Sequence, residues 1–182
     1  MNFVDAPELE TIDWLNADEP VSLGALRGKV VLIEAFQMLC PGCVSHGLPQ
    51  AMRVHRTFGR EEVAVIGLHT VFEHHDAQGS RAALAAFVHE YRIDFPVGID
   101  APSGGGGPPK TMSRYSMKGT PTLILVDRRG RLRKQKFGFE EDLVLGAEIM
   151  SLIRAGADGA PARETNDESG GRTDGGCRPG VA

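Results

Sequence analysis

Val30-Val31-Leu32-Ile33-Glu34-Ala35-Phe36 is followed four residues on by Cys40-Pro41-Gly42-Cys43, and this junction decides the fold. A continuous run of β-branched and large apolar residues predicts a strand buried on both faces. The helical spacing of Val44, Leu48, Ala51, Met52 and Val54 predicts a helix to about Phe58, interrupted near Pro49. The cysteine pair therefore sits where a buried strand hands over to a helix N-terminus. Unpaired backbone N–H groups and the helix dipole favour thiolate over thiol there. Two residues between the sulfurs allow a small-ring disulfide, so the pair has the spacing of a redox dithiol.

Outward from this junction the chain alternates strands and helices. Val63 to Leu68 predicts a second buried strand. Ser80 caps a helical pattern through Leu84, Phe87, Val88 and Tyr91 that ends before Phe95-Pro96-Val97-Gly98. Residues 101–110, with four glycines in a row, predict a surface loop, and Thr111 to Met117 a short helix. No Gly-Lys-Ser/Thr closes the glycine run, so it is not a phosphate loop. Thr122 to Val126 and Arg131 to Phe137, joined by Asp127-Arg128-Arg129-Gly130, predict a hairpin, and Glu140 to Arg154 a closing amphipathic helix. At the other end, Trp14-Leu15-Asn16 and Val21-Ser22-Leu23 predict a short N-terminal hairpin, and Leu23 to Leu26 a helical turn. From Ala155 the apolar periodicity stops, and residues 155–182 read as a disordered tail. The layout is one α/β domain over 1–154, with parallel strands joined by helical crossovers and a final antiparallel pair.

The chain has 182 residues, 41% hydrophobic and 24% charged, enough for one full core. A formal net charge of −4 gives no electrostatic case for nucleic acid. No apolar stretch is long enough to span a bilayer. Residues 1–8 lack a basic region followed by an apolar one, and Met1 reads as an initiator, so the expectation is a cytoplasmic protein with its thiols kept reduced. Three cysteines are too few for a disulfide framework.

Three features together resemble the thioredoxin superfamily, and within it the TlpA/ResA-like thiol-disulfide oxidoreductases with their AhpC/TSA-type redoxin core. They are Gly28-Lys29-Val30 through Phe36 leading into Cys40-Pro41-Gly42-Cys43, Gly119-Thr120-Pro121-Thr122 before a strand and Asp127-Arg-Arg-Gly130, and the helix-bearing insertion near 70–95. The resemblance covers about residues 10–154. It implies a thioredoxin-like fold, a central mixed sheet flanked by helices. It implies Cys40 as the attacking thiolate and Cys43 as the buried resolving thiol, exchanging through a mixed disulfide. It also implies that Pro121 is cis and faces the cysteines, with Thr120 offering backbone groups to an extended substrate segment. The alternative is an ordinary trans proline at a strand entry. Glu34 matches a buried acid in thioredoxins, where desolvation raises the pKa and lets the carboxylate take the Cys43 proton. Its alternative is an acid that escapes to the strand edge. Pro41, Gly42 and Leu39 complete the substrate face. Leu39 departs from the family, which often has Trp there. The family is mostly exported or membrane-anchored, so the natural partner of this chain can differ.

The implied partners are a protein disulfide and a thiol reductant of unknown identity, with no bound cofactor or metal; the sequence does not reveal the oligomeric state, and a monomer is the expectation. A zinc pair lacks a second Cys-x-x-Cys or close Cys/His pair. His69, His74 and His75 with Glu73 and Asp76 read as a polar loop, with a metal site or proton relay as the alternative. The basic residues over 128–136 read as a solvated sheet edge. Cys177 reads as an incidental exposed thiol, with a second resolving role as the alternative. A peroxiredoxin-like peroxidase needs a hydroxyl three residues before the reactive cysteine in a Pro-x-x-x-Thr-x-x-Cys pattern. Here Gln37 and Ile33 occupy the threonine and proline places. A docking module that does not use its cysteines is the third reading.

Overall fold

A computed structural model describes residues 4–157. The strand that opened the sequence reading, β2 (Val30–Phe36), is buried at all seven positions. It pairs in parallel with β3 (Val63–His69) on one side and antiparallel with β5 (Thr122–Val126) on the other. β3 pairs in parallel with β4 (Val97–Asp100), β4 antiparallel with β1 (Thr11–Leu15), and β5 antiparallel with β6 (Leu132–Phe137). The result is a mixed six-stranded sheet in the order β1-β4-β3-β2-β5-β6.

Helices cover both faces. They are α1 (Leu48–Thr57), α2 (His75–Gln78), α3 (Arg81–Glu90), α4 (Lys110–Arg114) and α5 (Asp142–Ala157), with a π-helical stretch, Cys43–Gly47, leading into α1. Because side chains alternate along a strand, β2 feeds two cores. Val30, Leu32 and Phe36 pack with Cys43, Leu48, Ala51, Leu84, Leu145 and Ile149. Val31, Ile33 and Ala35 pack with Trp14, Met112, Tyr115 and Met117 on the other face. Glu34, by the same alternation, belongs to the face of Cys43 and α1. Among the described residues no helix is long and apolar enough to cross a membrane.

The expected N-terminal hairpin is not formed. Trp14 and Leu15 lie in β1, whose partner is β4, while residues 23–28 are turns. The Glu8 carboxylate accepts hydrogen bonds from the Leu23 and Gly24 N–H groups (2.8 and 2.7 Å), which holds the would-be second arm as a turn. The insertion carries α2 and α3, and Ser80 caps α3 by accepting from Ala83 N–H at 3.1 Å. α5 runs to Ala157, three residues into the segment expected as tail. The rest of that segment, with Cys177, lies outside the described residues.

The glycine-rich loop is closed at its base by Asp100. Its buried carboxylate accepts from Thr70 Oγ1 (2.9 Å), Thr111 N–H (2.8 Å) and Met112 N–H (3.0 Å), capping α4 and tying it to β4. Asp100→Ala leaves three buried donors without an acceptor. The expected loss is about 3 kcal/mol in urea unfolding with an unchanged m-value. A loss under about 0.5 kcal/mol would show that the loop does not depend on this carboxylate.

Candidate active site

Past Phe36 the chain leaves the sheet in a turn, closed by Cys40 N–H donating to the Gln37 carbonyl at 3.3 Å. Helical backbone begins at Pro41. Pro41 suits the first helical position, where its missing N–H costs nothing. Cys40 is thus the N-cap. Its carbonyl accepts from Val44 N–H at 3.1 Å, and its Sγ accepts from Cys43 N–H at 3.2 Å. The sulfur takes the place that a serine or aspartate oxygen holds in an ordinary cap. Cys40 and Cys43 are joined as a disulfide, with Cα atoms 5.2 Å apart. Cys40 is half-buried, whereas Cys43 is fully buried among core residues.

Pro49 has no N–H to give Ser45, so the helix cannot run on as a regular α-helix there. The strain is taken up as the π-helical stretch, with Leu48 N–H donating to the Cys43 carbonyl. The interruption expected near Pro49 is therefore a widened turn just after the cysteines, a feature often found at functional sites. Gly47 lies in that turn. A Cβ there would overlap Glu34 Oε1 and stand 3.1 Å from Pro121 Cβ. A Cβ at Gly42 would stand 3.3 Å from Pro121 Cδ. Two glycines thus let the helix face approach Pro121 closely. The Thr120–Pro121 peptide bond is cis, and the Thr120 carbonyl oxygen lies 3.5 Å from Cys40 Sγ. Thr122 Oγ1 donates to the Gly119 carbonyl at 2.7 Å, and Gly138 N–H to the Pro121 carbonyl at 2.8 Å, which fixes this loop from both sides.

Glu34 is buried, and its Oε1 has no hydrogen-bond partner among the described residues. Burial alone pushes its pKa up to about 8. His69, the last residue of β3, is also buried, with its ring 5.3 Å from that of Phe36. Desolvation pushes its pKa down to about 4, so it is neutral at physiological pH.

The structure brings together Cys40, Cys43, Pro41, Gly42, Thr120 and Pro121, with Glu34 beneath them. Leu39 is 56% exposed beside Cys40. It does not assemble the histidines, since His74 and His75 are exposed on the insertion while His69 is inside the sheet. Sequence reading missed Gly47, whose only signal is its five-residue spacing from Gly42. It also missed two exposed rings, Phe137 at the end of β6 and Phe139 on the β6–α5 connection, with the His46 ring 5.4 Å from that of Phe139.

A Cys-x-x-Cys disulfide at a helix N-terminus, facing Pro121 at the start of an inner strand of a mixed sheet, defines a thioredoxin-like redox protein. The AhpC/TSA family model matches residues 4–135, and the chain belongs to that family. A crystal structure of a thioredoxin-like superfamily protein is 54% identical, with a TM-score of 0.80 over 82% of this chain and 96% of the other. A thiol-disulfide isomerase from Corynebacterium glutamicum is 50% identical, with a TM-score of 0.77 over 81% and 96%. Among curated proteins, DipZ of Mycobacterium tuberculosis is 31% identical over 137 residues, 73% of this chain. The thiol-disulfide oxidoreductase ResA of Bacillus cereus is 26% identical over 118 residues, 65% of this chain. The chain spans only 18% of DipZ and 60% of ResA.

The position of Glu34 has a measurable consequence for stability. Its carboxyl has an ordinary pKa of 4.5 and a folded value of about 8. Its proton favours the folded state fully below pH 4.5, and that contribution is lost as pH rises through 8. Glu34→Gln, tested with the disulfide intact, removes this loss. Relative to the parent, the variant should gain about 2–4 kcal/mol between pH 5 and pH 9, read as a pH-dependent difference in melting temperature. A difference that stays flat over that range would mean the carboxyl is hydrated.

Proposed function

We propose that this chain is a thiol-disulfide oxidoreductase that exchanges its Cys40–Cys43 pair with protein disulfides, running as a reductant in a reducing compartment. The observation that carries the reading is the asymmetry of the pair. Cys40 Sγ is reachable and accepts a helix N-terminal N–H, while Cys43 is closed off beneath it.

In the reduced form the Cys40 thiolate attacks one sulfur of a partner disulfide. That S–S bond breaks, the other partner sulfur leaves as thiolate and takes a proton, and a mixed disulfide forms. Glu34, in the minor carboxylate fraction that a pKa of about 8 leaves at neutral pH, takes the Cys43 proton, and the Cys43 thiolate attacks Cys40 Sγ. The second partner thiol is released, two electrons have passed to the partner, and the Cys40–Cys43 disulfide remains. A thiol donor restores the dithiol. A carboxyl with a pKa of about 8 is matched to a thiol, so the proton moves between groups of similar affinity. Thr120 and Pro121 present the edge along which an extended partner segment lies. Leu39, Pro41 and Gly42 supply the surface beside its sulfur.

The peroxidase reading is weaker on a specific observation. Gln37, at the place of the peroxide-binding hydroxyl, is fully buried and its amide is engaged by Phe72, Glu73 and Gln78. It has no face to offer a peroxide.

Reduction of insulin disulfides, run beside peroxide consumption, tests the assignment. Cys40→Ser should fall to background, and Cys43→Ser should stall as the mixed disulfide, whose capture from cells identifies the partner. Glu34→Gln should slow exchange at least about tenfold at pH 7 and flatten its pH dependence. Full reductase activity in Cys40→Ser would refute Cys40 as the nucleophile, and a parent chain inert in both assays would leave the docking module. Rapid peroxide turnover without disulfide reduction would favour the peroxidase.

A further inference from the structure

The geometry points to Gln37 and Gln78 as positioning residues for the nucleophile, an inference that rests on the exchange reading above. Both side chains are fully buried, which is rare for glutamine unless its amide is paired. The two amides bond to each other, Gln78 Nε2 donating to Gln37 Oε1 at 3.0 Å. Gln78 Oε1 accepts from Leu39 N–H at 3.1 Å, one residue before Cys40. Gln78 Nε2 also donates to the Glu73 carbonyl at 2.9 Å. Gln37 Oε1 accepts from Phe72 N–H at 3.2 Å, and its Nε2 donates to the Glu73 carboxylate at 3.2 Å.

These bonds run between two segments far apart in sequence. One is the turn 37–40 that carries the nucleophile. The other is the insertion, from Phe72 to the end of α2. The turn's own hydrogen bond, Cys40 N–H to the Gln37 carbonyl, is long at 3.3 Å. Gln78 adds the external hold, at the residue adjoining the N-cap. The cap geometry that puts Cys40 Sγ 3.2 Å from Cys43 N–H depends on where residue 40 leaves the turn. The Cys40 sulfur is a disulfide, a mixed disulfide and a thiolate in succession. A turn fixed to the insertion keeps the Cys43 N–H aimed at it in all three states, and the thiolate gains most.

The test reads Cys40 itself. In a Cys43→Ser background, the pH profile of iodoacetamide alkylation is measured at the Cys40 peptide, so that Cys177 does not contribute. Gln78→Leu should move the midpoint up by about half a pH unit, which lowers the thiolate fraction about threefold at any pH below both midpoints. With Cys43 restored, insulin reduction at such a pH should fall by less, about twofold, because the thiolate of higher pKa is also the better nucleophile. The ionisable groups on the surrounding elements are Glu34 on β2, His69 at the end of β3, His46 in the π stretch, Glu73, His74, His75 and Asp76 on the insertion, and Lys118 before the cis proline. All of them remain in the variant, so a shift reports the lost hold. Gln37→Leu, which takes one partner from Gln78 but leaves the Leu39 bond, should move the midpoint the same way by less. It carries the test if Gln78→Leu does not fold. A folded variant whose midpoint and rate both match the parent overturns the assignment. A parent chain inert toward insulin overturns the exchange reading alone, because the alkylation profile needs no partner.

Discussion

The close approach of the first helix to Pro121 is the contact on which the site depends. Gly42 and Gly47 face the proline ring, and a methyl at either position meets it at 3.3 Å or less. Move the helix away by the width of a side chain and the Thr120 carbonyl no longer lies within 3.5 Å of Cys40 Sγ. Both sides of the contact are fixed independently. Pro121 is held by the β5–β6 pairing and by Gly138 N–H on its carbonyl. The helix is held by Leu48, Ala51 and Val54 in the core beneath it. The π-helical stretch rotates the chain so that Gly47, rather than a residue with a side chain, faces Glu34 and Pro121.

Glu34 is the cost the sheet accepts for this arrangement. An ionised carboxylate with an unpartnered buried oxygen is unfavourable by several kcal/mol, so most of the population is protonated at neutral pH and a minor carboxylate fraction remains to act as base. The six other residues of β2 are apolar and buried, and their burial offsets that cost at roughly 1.5–3 kcal/mol for each large side chain. An apolar residue at 34 would fit the strand better. A local rule broken inside an otherwise consistent element is what a functional position looks like.

Much of this was legible in the sequence because the signals are local. β2 is an apolar run broken by Glu34 alone, Ser80 is a cap before a helical pattern, and Asp127 to Gly130 is a turn whose glycine takes φ +77°. Cys40-Pro41-Gly42-Cys43 and Gly119-Thr120-Pro121-Thr122 are contiguous strings, so the resemblance they carry is readable without coordinates. The partner of β1 was not legible. β4 is four residues long, follows Pro96 and contains Gly98, so it has no strand signature of its own. Its glycine is explained by two β1 side chains lying across it, Thr11 Cγ2 and the Trp14 ring, 2.9 and 3.0 Å from where a Cβ would be. Gly47 and Gln78 were illegible for the same reason, since each acts on a residue distant in the chain.

Gln37 joins the two kinds of information. In sequence it appears as a departure, an amide where a peroxidase needs a hydroxyl. In the structure the same amide is buried and binds the insertion through Phe72, Glu73 and Gln78. An amide in place of a hydroxyl and an anchored insertion are therefore two views of one side chain. A threonine at 37 is too short to span to Gln78 and Phe72 together, and a glutamine reaching for peroxide would leave Phe72 N–H and Gln78 Nε2 without the acceptor they share. The turn before Cys40 can serve one of these arrangements at a time, and here its hydrogen bonds are committed to holding the dithiol in place.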